Sequence, residues 1–406
     1  MNIGIVTTWF ERGAAYVSRQ FEEVLQQKYN VFIFARGGEK YAKGDPNWDH
    51  KNVFWSTRNA RFMGMWYSKK EFVKWAKDNK IDAVIFNEQQ NFTPVTWAKE
   101  LGLLTIAYID YYTEETVPLF DIYDGLICNT KRHYSAFEDL GNAYYIPWGT
   151  DVDLYKPTNE GLVNKGKVTF FNSAGMNPLR KGTDTFIKAL DKFKDLDFKA
   201  VIQSQKTLHS YFPELDDTIK NLMKNGKLEV IEKTVPAPGL YYKADVYVYP
   251  SILDGIGLTV CEAVSSGLAC ITSDNPPMSE FVEPQYGSLI PINRLWARSD
   301  GYYWPQCRCD VDGLAKILKV YIENPQEVIK KKKAAREWAL SHFSFKDNAQ
   351  SLFGIIESMK KRPYDEALLR KIYLYDNKQH KLKLQRLWDK LGIYKFKKEH
   401  IASNIR

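Results

Sequence analysis

The chain has 406 residues, 44% hydrophobic and 26% charged, which suits two or three globular domains and excludes a disordered chain, a collagen-like repeat and a disulfide scaffold. No stretch reaches the ~18 apolar residues of a membrane span, the opening MNIGIVTTWF lacks the basic start and cleavage site of a leader, and five scattered cysteines read as reduced thiols, so a cytoplasmic protein is expected. The net charge of +8 is uneven: fourteen basic and five acidic residues give Lys360 to Arg406 a charge of +9, leaving −1 for the first 359 residues, which is not the footprint of a nucleic-acid groove.

From the amino terminus, NIGIVTT (Asn2 to Thr8), a helix over Tyr16 to Gln27 and NVFIFA (Asn30 to Ala35) predict one βαβ unit. The continuous apolar runs DAVIFN (Asp82 to Asn87), LLTIAYI (Leu103 to Ile109) and DGLICN (Asp124 to Asn129) predict further strands of a parallel sheet covered on both faces. IPWGTDVDLYKP (Ile146 to Pro157), with two prolines and a glycine, interrupts the pattern and is read as a domain boundary. A second series follows in KVTFFNSAG (Lys167 to Gly175), FKAVIQ (Phe198 to Gln203), KLEVIE (Lys227 to Glu232), ADVYVYP (Ala244 to Pro250) and LACITS (Leu268 to Ser273), and helical spacing dominates after Val311, with breaks near Phe343 to Lys346 and at Pro363. The fold class is therefore α/β: a Rossmann-like domain over 1–157, a second over 158–345, and terminal helices with a basic tail over 346–406. The parallel sheets are expected to face a central cleft, and ligands to sit outside the carboxyl ends of the strands.

The richest segment is PSILDGIGLTVCEAVSSGLACITSD (Pro250 to Asp274), a strand, a loop with two glycines, a helix and the next strand. The amides of Gly255, Ile256, Gly257, Leu258 and Thr259 lie at the helix start, where unsatisfied N–H groups and the helix dipole favour a phosphate. Asp254 in the loop and Glu262 two turns along the helix, seven residues between them, can face one cleft and accept hydrogen bonds from a ribose or sugar diol. SAGMNPLRKGTDTFIKAL (Ser173 to Leu190) gives a second strand, loop and helix, with Arg180 and Lys181 before Gly182 as cations for a leaving diphosphate.

These segments resemble the donor motif and the phosphate-binding segment of the family 4 glycosyltransferases of the two-Rossmann, retaining GT-B type, and IPWGTDVDLYKP resembles the family's interdomain segment. The resemblance covers most of the chain. It implies that Glu262 holds the nucleotide ribose, that Asp254 and the loop amides of Gly255 to Thr259 meet the donor sugar and diphosphate, and that Lys181 matches the family's lysine, with Arg180 beside it. Asp254 stands where the family has glutamate, and Met176 where it has arginine. In the first domain Gly13, in WFERGAAYVSRQ, matches the glycine that brings backbone close to acceptor and donor phosphate; Asp110, in YIDYYTEE, matches an acidic residue that orients an acceptor hydroxyl, with Ile109 where a histidine is usual. NEQQNF (Asn87 to Phe92) is a further polar loop for the acceptor. By resemblance the reaction moves a sugar from a nucleotide donor to a hydroxyl acceptor, a glycan or a lipid-linked one, with retention, the donor phosphate taking the acceptor proton and no cofactor being needed. Asp254, Lys181 and Asp110 are the expected catalytic residues.

No metal is expected, since six histidines show no ligand spacing and the Asp-x-Asp triplets at Asp151/Asp153, Asp195/Asp197 and Asp310/Asp312 fall in a linker, a loop and a helix start. Two other readings stand beside the transferase: a non-catalytic nucleotide-sugar binder, and a Rossmann-type oxidoreductase, which the lack of G-x-G-x-x-G after the first strand disfavours. The tail interleaves Tyr373, Leu384, Leu387 and Trp388 with lysines and arginines, and reads either as a face for an anionic membrane on the cytoplasmic side or as a helix packed on the body.

Overall fold

The computed structural model describes residues 1–38, 41–58, 66–193 and 195–390, without the side chains of 386 and 388–390, so that the Trp388 side chain and residues 391–406 of the basic tail lie outside the described residues. Two compact units emerge. The first comprises Met1–Cys128, Ala136–Tyr144 and the described residues from Leu352 to 390; the second comprises Asn129–Ser135 and Tyr145–Ser351.

The first unit holds a seven-stranded sheet of β1 (Asn2–Thr7), β2 (Asn30–Ala35), β3 (Val53–Trp55), β4 (Ala83–Asn87), β5 (Leu104–Tyr108), β6 (Gly125–Cys128) and β7 (Ala143–Tyr145), in the order β3-β2-β1-β4-β5-β6-β7. Pairing from β3 to β6 is parallel. Strands β4 and β5 are buried at every position, which is why their sequences run apolar without alternation. Helices α1 (Gly13–Leu25), α2 (Lys69–Asp78) and α3 (Thr93–Glu100) connect the strands. A Cβ on Gly4 of β1 would lie 2.3 Å from the Trp75 ring, so the bare backbone lets Trp75 of α2 lie on the sheet, within 5.3 Å of the Phe34 ring and 5.8 Å of Phe72.

The second unit holds β8 (Thr169–Gly175), β9 (Lys199–Ser204), β10 (Leu228–Glu232), β11 (Val246–Tyr249), β12 (Ala269–Ser273) and β13 (Gly287–Ile290), all parallel, in the order β10-β9-β8-β11-β12-β13. Its helices are α4 (Lys131–Ser135), α5 (Thr183–Asp191), α6 (Leu208–Tyr211), α7 (Asp216–Lys224), α8 (Leu258–Ser265), α9 (Val311–Glu323), α10 (Pro325–His342) and α11 (Phe345–Asn348). Phe170, Ile202, Val246 and Ile271 of the strands pack with Phe186 and Leu190 of α5 and Leu314 and Leu318 of α9. An antiparallel hairpin, β14 (Ile292–Trp296) with β15 (Gln306–Cys309), follows β13. The short β3, β7, β13 and this hairpin lie outside the apolar runs that marked strands in the sequence.

The units divide differently from the sequence reading. Residues 146–157 pack on the end of α10 and on α11: Thr150 N donates to Phe343 O at 2.7 Å, Phe345 N to Thr150 O at 3.1 Å, and the Trp148 and Phe345 rings are 4.8 Å apart. The division therefore falls near 145 and not at 157/158. The terminal helices α12 (Ser351–Ser358) and α13 (Glu366–Lys390) belong to the first unit. Asp376 of α13, 2% exposed, accepts from the backbone N–H groups of Phe92 and Thr93 at 3.0 and 2.7 Å, and thus caps α3, whose own first residues supply no side-chain cap.

Candidate functional site

In the second sheet the chain runs from β8 through β9 to β10 at one edge, then crosses to β11, β12 and β13 on the other side of β8. Strands β8 and β11 therefore flank the switch point, where open α/β sheets present their ligand site. The helices that follow, α5 and α8, both start after a glycine in the left-handed region, Gly182 at φ +66° and Gly257 at φ +78°. At Gly182 a Cβ would lie 1.8 Å from the backbone oxygen of Pro250, and at Gly257 the positive φ itself disfavours any side chain. The two loops are zipped together, Ile252 N donating to Arg180 O at 2.8 Å and Arg180 Nη1 to Leu253 O at 2.7 Å. The first-turn amides of α8, at Leu258 and Thr259, have no acceptor one turn back within the helix and add to the positive helix end.

Between these loops stands a charged cluster. Lys181 Nζ lies 2.6 Å from Asp254 Oδ2; the Tyr249 hydroxyl donates to that same oxygen and accepts from Lys181. Arg180 Nη1 lies 3.3 Å from Asp254 Oδ1, which also accepts from Gly255 N at 3.2 Å. Burial pushes the Asp254 carboxyl up, but Lys181 and Arg180 outweigh it and hold the group well below the usual carboxylate range. Burial also lowers the Lys181 ammonium, against the pull of Asp254. Asp254, Lys181 and Arg180, singled out by spacing, thus form one cluster in which both Asp254 oxygens serve as counter-ion to the cations. Tyr249, inside a predicted strand, joins this cluster; its signal in the sequence is the period of two that puts Tyr247 and Tyr249, rings 5.5 Å apart, on one face at the carboxyl end of β11.

Glu262 sits one turn into α8, with Oε2 accepting from the Tyr241 hydroxyl at 2.6 Å and the Tyr155 phenol also hydrogen-bonded to the carboxylate. Burial raises its pKa, opposed by those phenols and by Lys181. Tyr155 and Tyr241 come from remote segments with no local signal.

Gly13 and Asp110 belong to the first unit, apart from this cluster in the fold's division. Gly13 is exposed at the first position of α1. Asp110 lines a pocket with Glu88, Gln89 and Gln90 of the polar loop after β4 and with the buried Tyr108 and Tyr123. This pocket lies at the carboxyl ends of the neighbouring strands β4 and β5. Arg12 after β1 pairs with Glu88 after β4 at 3.2 Å, and Glu88 holds φ +51°, a left-handed conformation uncommon outside glycine.

The Asp-x-Asp triplets are structural. Asp151 accepts from Asp153 N and Leu154 N in a turn, Asp197 pairs with Lys167 on the surface, and Asp310 caps α9 by accepting from Asp312 N and Gly313 N. Among the described residues no group of three or more His, Cys, Asp or Glu side chains is placed to hold a metal ion, and no helix is long and apolar enough to cross a membrane.

The segment carrying both loops, the charged cluster and Glu262 matches the family model Glycosyl transferases group 1. The match runs over residues 158–338, within the second unit. The chain is 24% identical over 350 residues to the GtfA subunit of the UDP-N-acetylglucosamine–peptide N-acetylglucosaminyltransferase of Streptococcus pneumoniae serotype 4, a match spanning 77% of this chain and 66% of that relative. It is 25% identical over 272 residues to the lipopolysaccharide core biosynthesis mannosyltransferase LpcC of Rhizobium leguminosarum bv. viciae, covering 63% of this chain and 71% of the relative. Among solved structures, Anabaena HepE in complex with UDP superposes with a TM-score of 0.70 at 16% identity, over 88% of this chain and all of that one. The two Rossmann-like units, the second containing the segment that matches the group 1 model, have the GT-B fold.

Proposed function

We propose that this protein is a retaining glycosyltransferase that moves a sugar from a nucleotide diphosphate donor to a hydroxyl acceptor, without metal or resident cofactor. The observation that carries this reading is the pair of glycine-started helices zipped at the β8/β11 switch point, with Lys181 fixed on Asp254 in the loop before α8 and Glu262 one turn along that helix. The loop amides of Ile256, Gly257, Leu258 and Thr259 take the diphosphate and donor sugar, while Gly255 N–H is held on Asp254; Lys181 and Arg180 stabilise the charge that grows on the leaving phosphate, and Glu262 exchanges a phenol for the ribose hydroxyls. Asp254 acts by holding Lys181, and the donor phosphate oxygen takes the acceptor proton. In the first unit Gly13 and Asp110, with the Glu88 to Gln90 loop, bind the acceptor, a glycan or a lipid-linked one. The charge of the tail supports a cytoplasmic enzyme that touches the inner membrane face through exposed Arg370, Lys371 and Lys381.

Support for a UDP donor comes from the names of the pneumococcal relative and of the UDP-bound neighbour. The test is donor hydrolysis and transfer with a panel of UDP-, GDP- and ADP-sugars, the product anomer being read by NMR. An inverted product would refute retention, and turnover of none of the donors would favour a non-catalytic binder. Glu262→Ala is expected to weaken UDP by roughly 1.5–3 kcal/mol, the worth of a hydrogen bond to a charged group, in calorimetry; unchanged affinity in the folded variant would remove Glu262 from the ribose.

A further inference from the structure

Helix α4 precedes the segment that links the units, yet it packs within the second unit, against the donor loop. Its Arg132 is 5% exposed and its His133 fully buried. One guanidinium nitrogen of Arg132, Nη2, donates to Asp254 O at 2.8 Å, and Nη1 donates to Pro276 O in the turn after β12. His133 Nε2, facing a carbonyl and hence carrying the proton, donates to Gly255 O at 3.1 Å. Burial pushes the imidazole down to about 3, so it stays neutral with one N–H to give. Helix α4 is itself anchored: Glu280 accepts from Lys131 N at 2.6 Å and from Arg132 N at 2.9 Å. The guanidinium also lies 5.5 Å from the centre of the Trp304 ring, in the loop of the hairpin.

We infer that Arg132 and His133 are positioning residues for the donor loop, which aim its amides by pinning the carbonyls of Asp254 and Gly255. The reason is the planarity of the peptide unit: in a trans peptide the C=O and the following N–H point in opposite directions. Holding Asp254 O on Arg132 directs Gly255 N–H toward the Asp254 carboxylate, where it is found. Holding Gly255 O on His133 directs Ile256 N–H away from α4, on the side where Gly257 bends into the first turn of α8. The loop carries two glycines and has little stiffness of its own, so an unpinned loop would lose amide alignment to rotation of these two peptide planes. A guanidinium and a neutral imidazole fulfil this role without entering the ligand space: one supplies a rigid fork, the other a single donor.

The inference rests on the transferase reading for its consequence and on the free protein for its geometry, and the two are tested apart. In the ligand-free protein, hydrogen exchange of a peptide spanning 254–262 is expected to quicken in His133→Leu and in Arg132→Met relative to the parent, while His133→Gln, which keeps a donor near the Nε2 position, restores protection. Exchange unchanged in both deletions overturns the inference. With UDP and uridine as probes, His133→Leu is expected to weaken UDP about tenfold, the effect of one lost hydrogen bond's worth of alignment, and to leave uridine unaffected, because only the diphosphate meets the loop. Equal loss for both probes, or for neither, overturns it. A thermal melt of each variant separates global unfolding from loop release, and Arg132→Lys, which keeps charge but not the fork, serves if Arg132→Met does not fold. Failure of the parent protein to bind UDP would refute a UDP donor, leaving the exchange measurement to decide on the pinning.

Discussion

Lys181 shows how a single side chain acquires chemistry from what surrounds it. Its side chain is 15% exposed and bound to a similarly shielded Asp254, an ion pair whose cost of desolvation is offset by Arg180 and the Tyr249 hydroxyl. If the charge on the leaving diphosphate grows toward the transition state, Lys181→Ala lowers kcat on the order of 10²-fold, more than it changes donor affinity; steady-state kinetics separate the two, and a raised KM at constant kcat would confine the lysine to binding. A second residue sets a pH dependence in the first unit. Burial raises the Glu22 carboxyl from 4.5 to about 7, with Arg19 opposing, and Gln26 and His50 lie against it at 3.1 and 3.3 Å. The folded state therefore keeps this proton while the unfolded chain has released it, so stability is full below about pH 4.5 and falls as pH rises toward about 7. Glu22→Gln is expected to gain on the order of 2–3 kcal/mol over the parent at pH 8 and almost nothing at pH 4, as read from denaturant melts at the two pH values.

At the scale of elements, α3 and α13 depend on each other. Phe92 and Thr93 begin α3 with no side-chain cap of their own, and the carboxylate that satisfies their amides arrives from Asp376, more than 280 positions along the chain. Ile372, fully buried one turn earlier, and the ion pair of Lys378 with Glu115 at 2.8 Å bind the same helix to the unit. Asp376→Ala is expected to cost about 1–3 kcal/mol, a cap and its charged hydrogen bonds lost. Asp376→Asn, which keeps a capping oxygen, should recover most of this. Equal melting of Asp376→Ala and the parent would show that the cap carries no stability.

At the scale of the molecule, the charge partition and the packing of α13 together define how membrane contact is tested. Truncation near Met359 would remove Asp376 and Ile372 and damage the first unit, so the basic surface is altered by substitution. Arg370, Lys371 and Lys381 are exposed, and Leu374 beside them is 62% exposed. At about 1 kcal/mol per basic residue near an anionic surface, changing all three to Gln is expected to reduce co-sedimentation with vesicles containing phosphatidylserine by on the order of 10²-fold in affinity at low salt. Binding of the parent should also fall as salt rises. Equal binding by parent and variant, or none by either, would assign α13 to packing alone.

The sequence by itself determined the two parallel sheets, because buried parallel strands must be apolar throughout, as DAVIFN and LLTIAYI are, and it marked the loops before α5 and α8, because the left-handed turns at Gly182 and Gly257 call for glycine. It also brought Asp254, Lys181, Arg180 and Glu262 into view, since short spacing from a strand end fixes where a side chain lies. Only the tertiary structure decided that Asp254 is counter-ion to Lys181, that Tyr249, Tyr241 and Tyr155 serve the carboxylates, that α4 packs on the Asp254–Gly255 loop, and that the tail caps α3. The reason is one of range: a strand's burial and a turn's φ are set by neighbours along the chain, whereas the partner of a buried charge or of an unsatisfied helix end is whichever group the packing of distant segments places within 3 Å, and no local pattern encodes that distance.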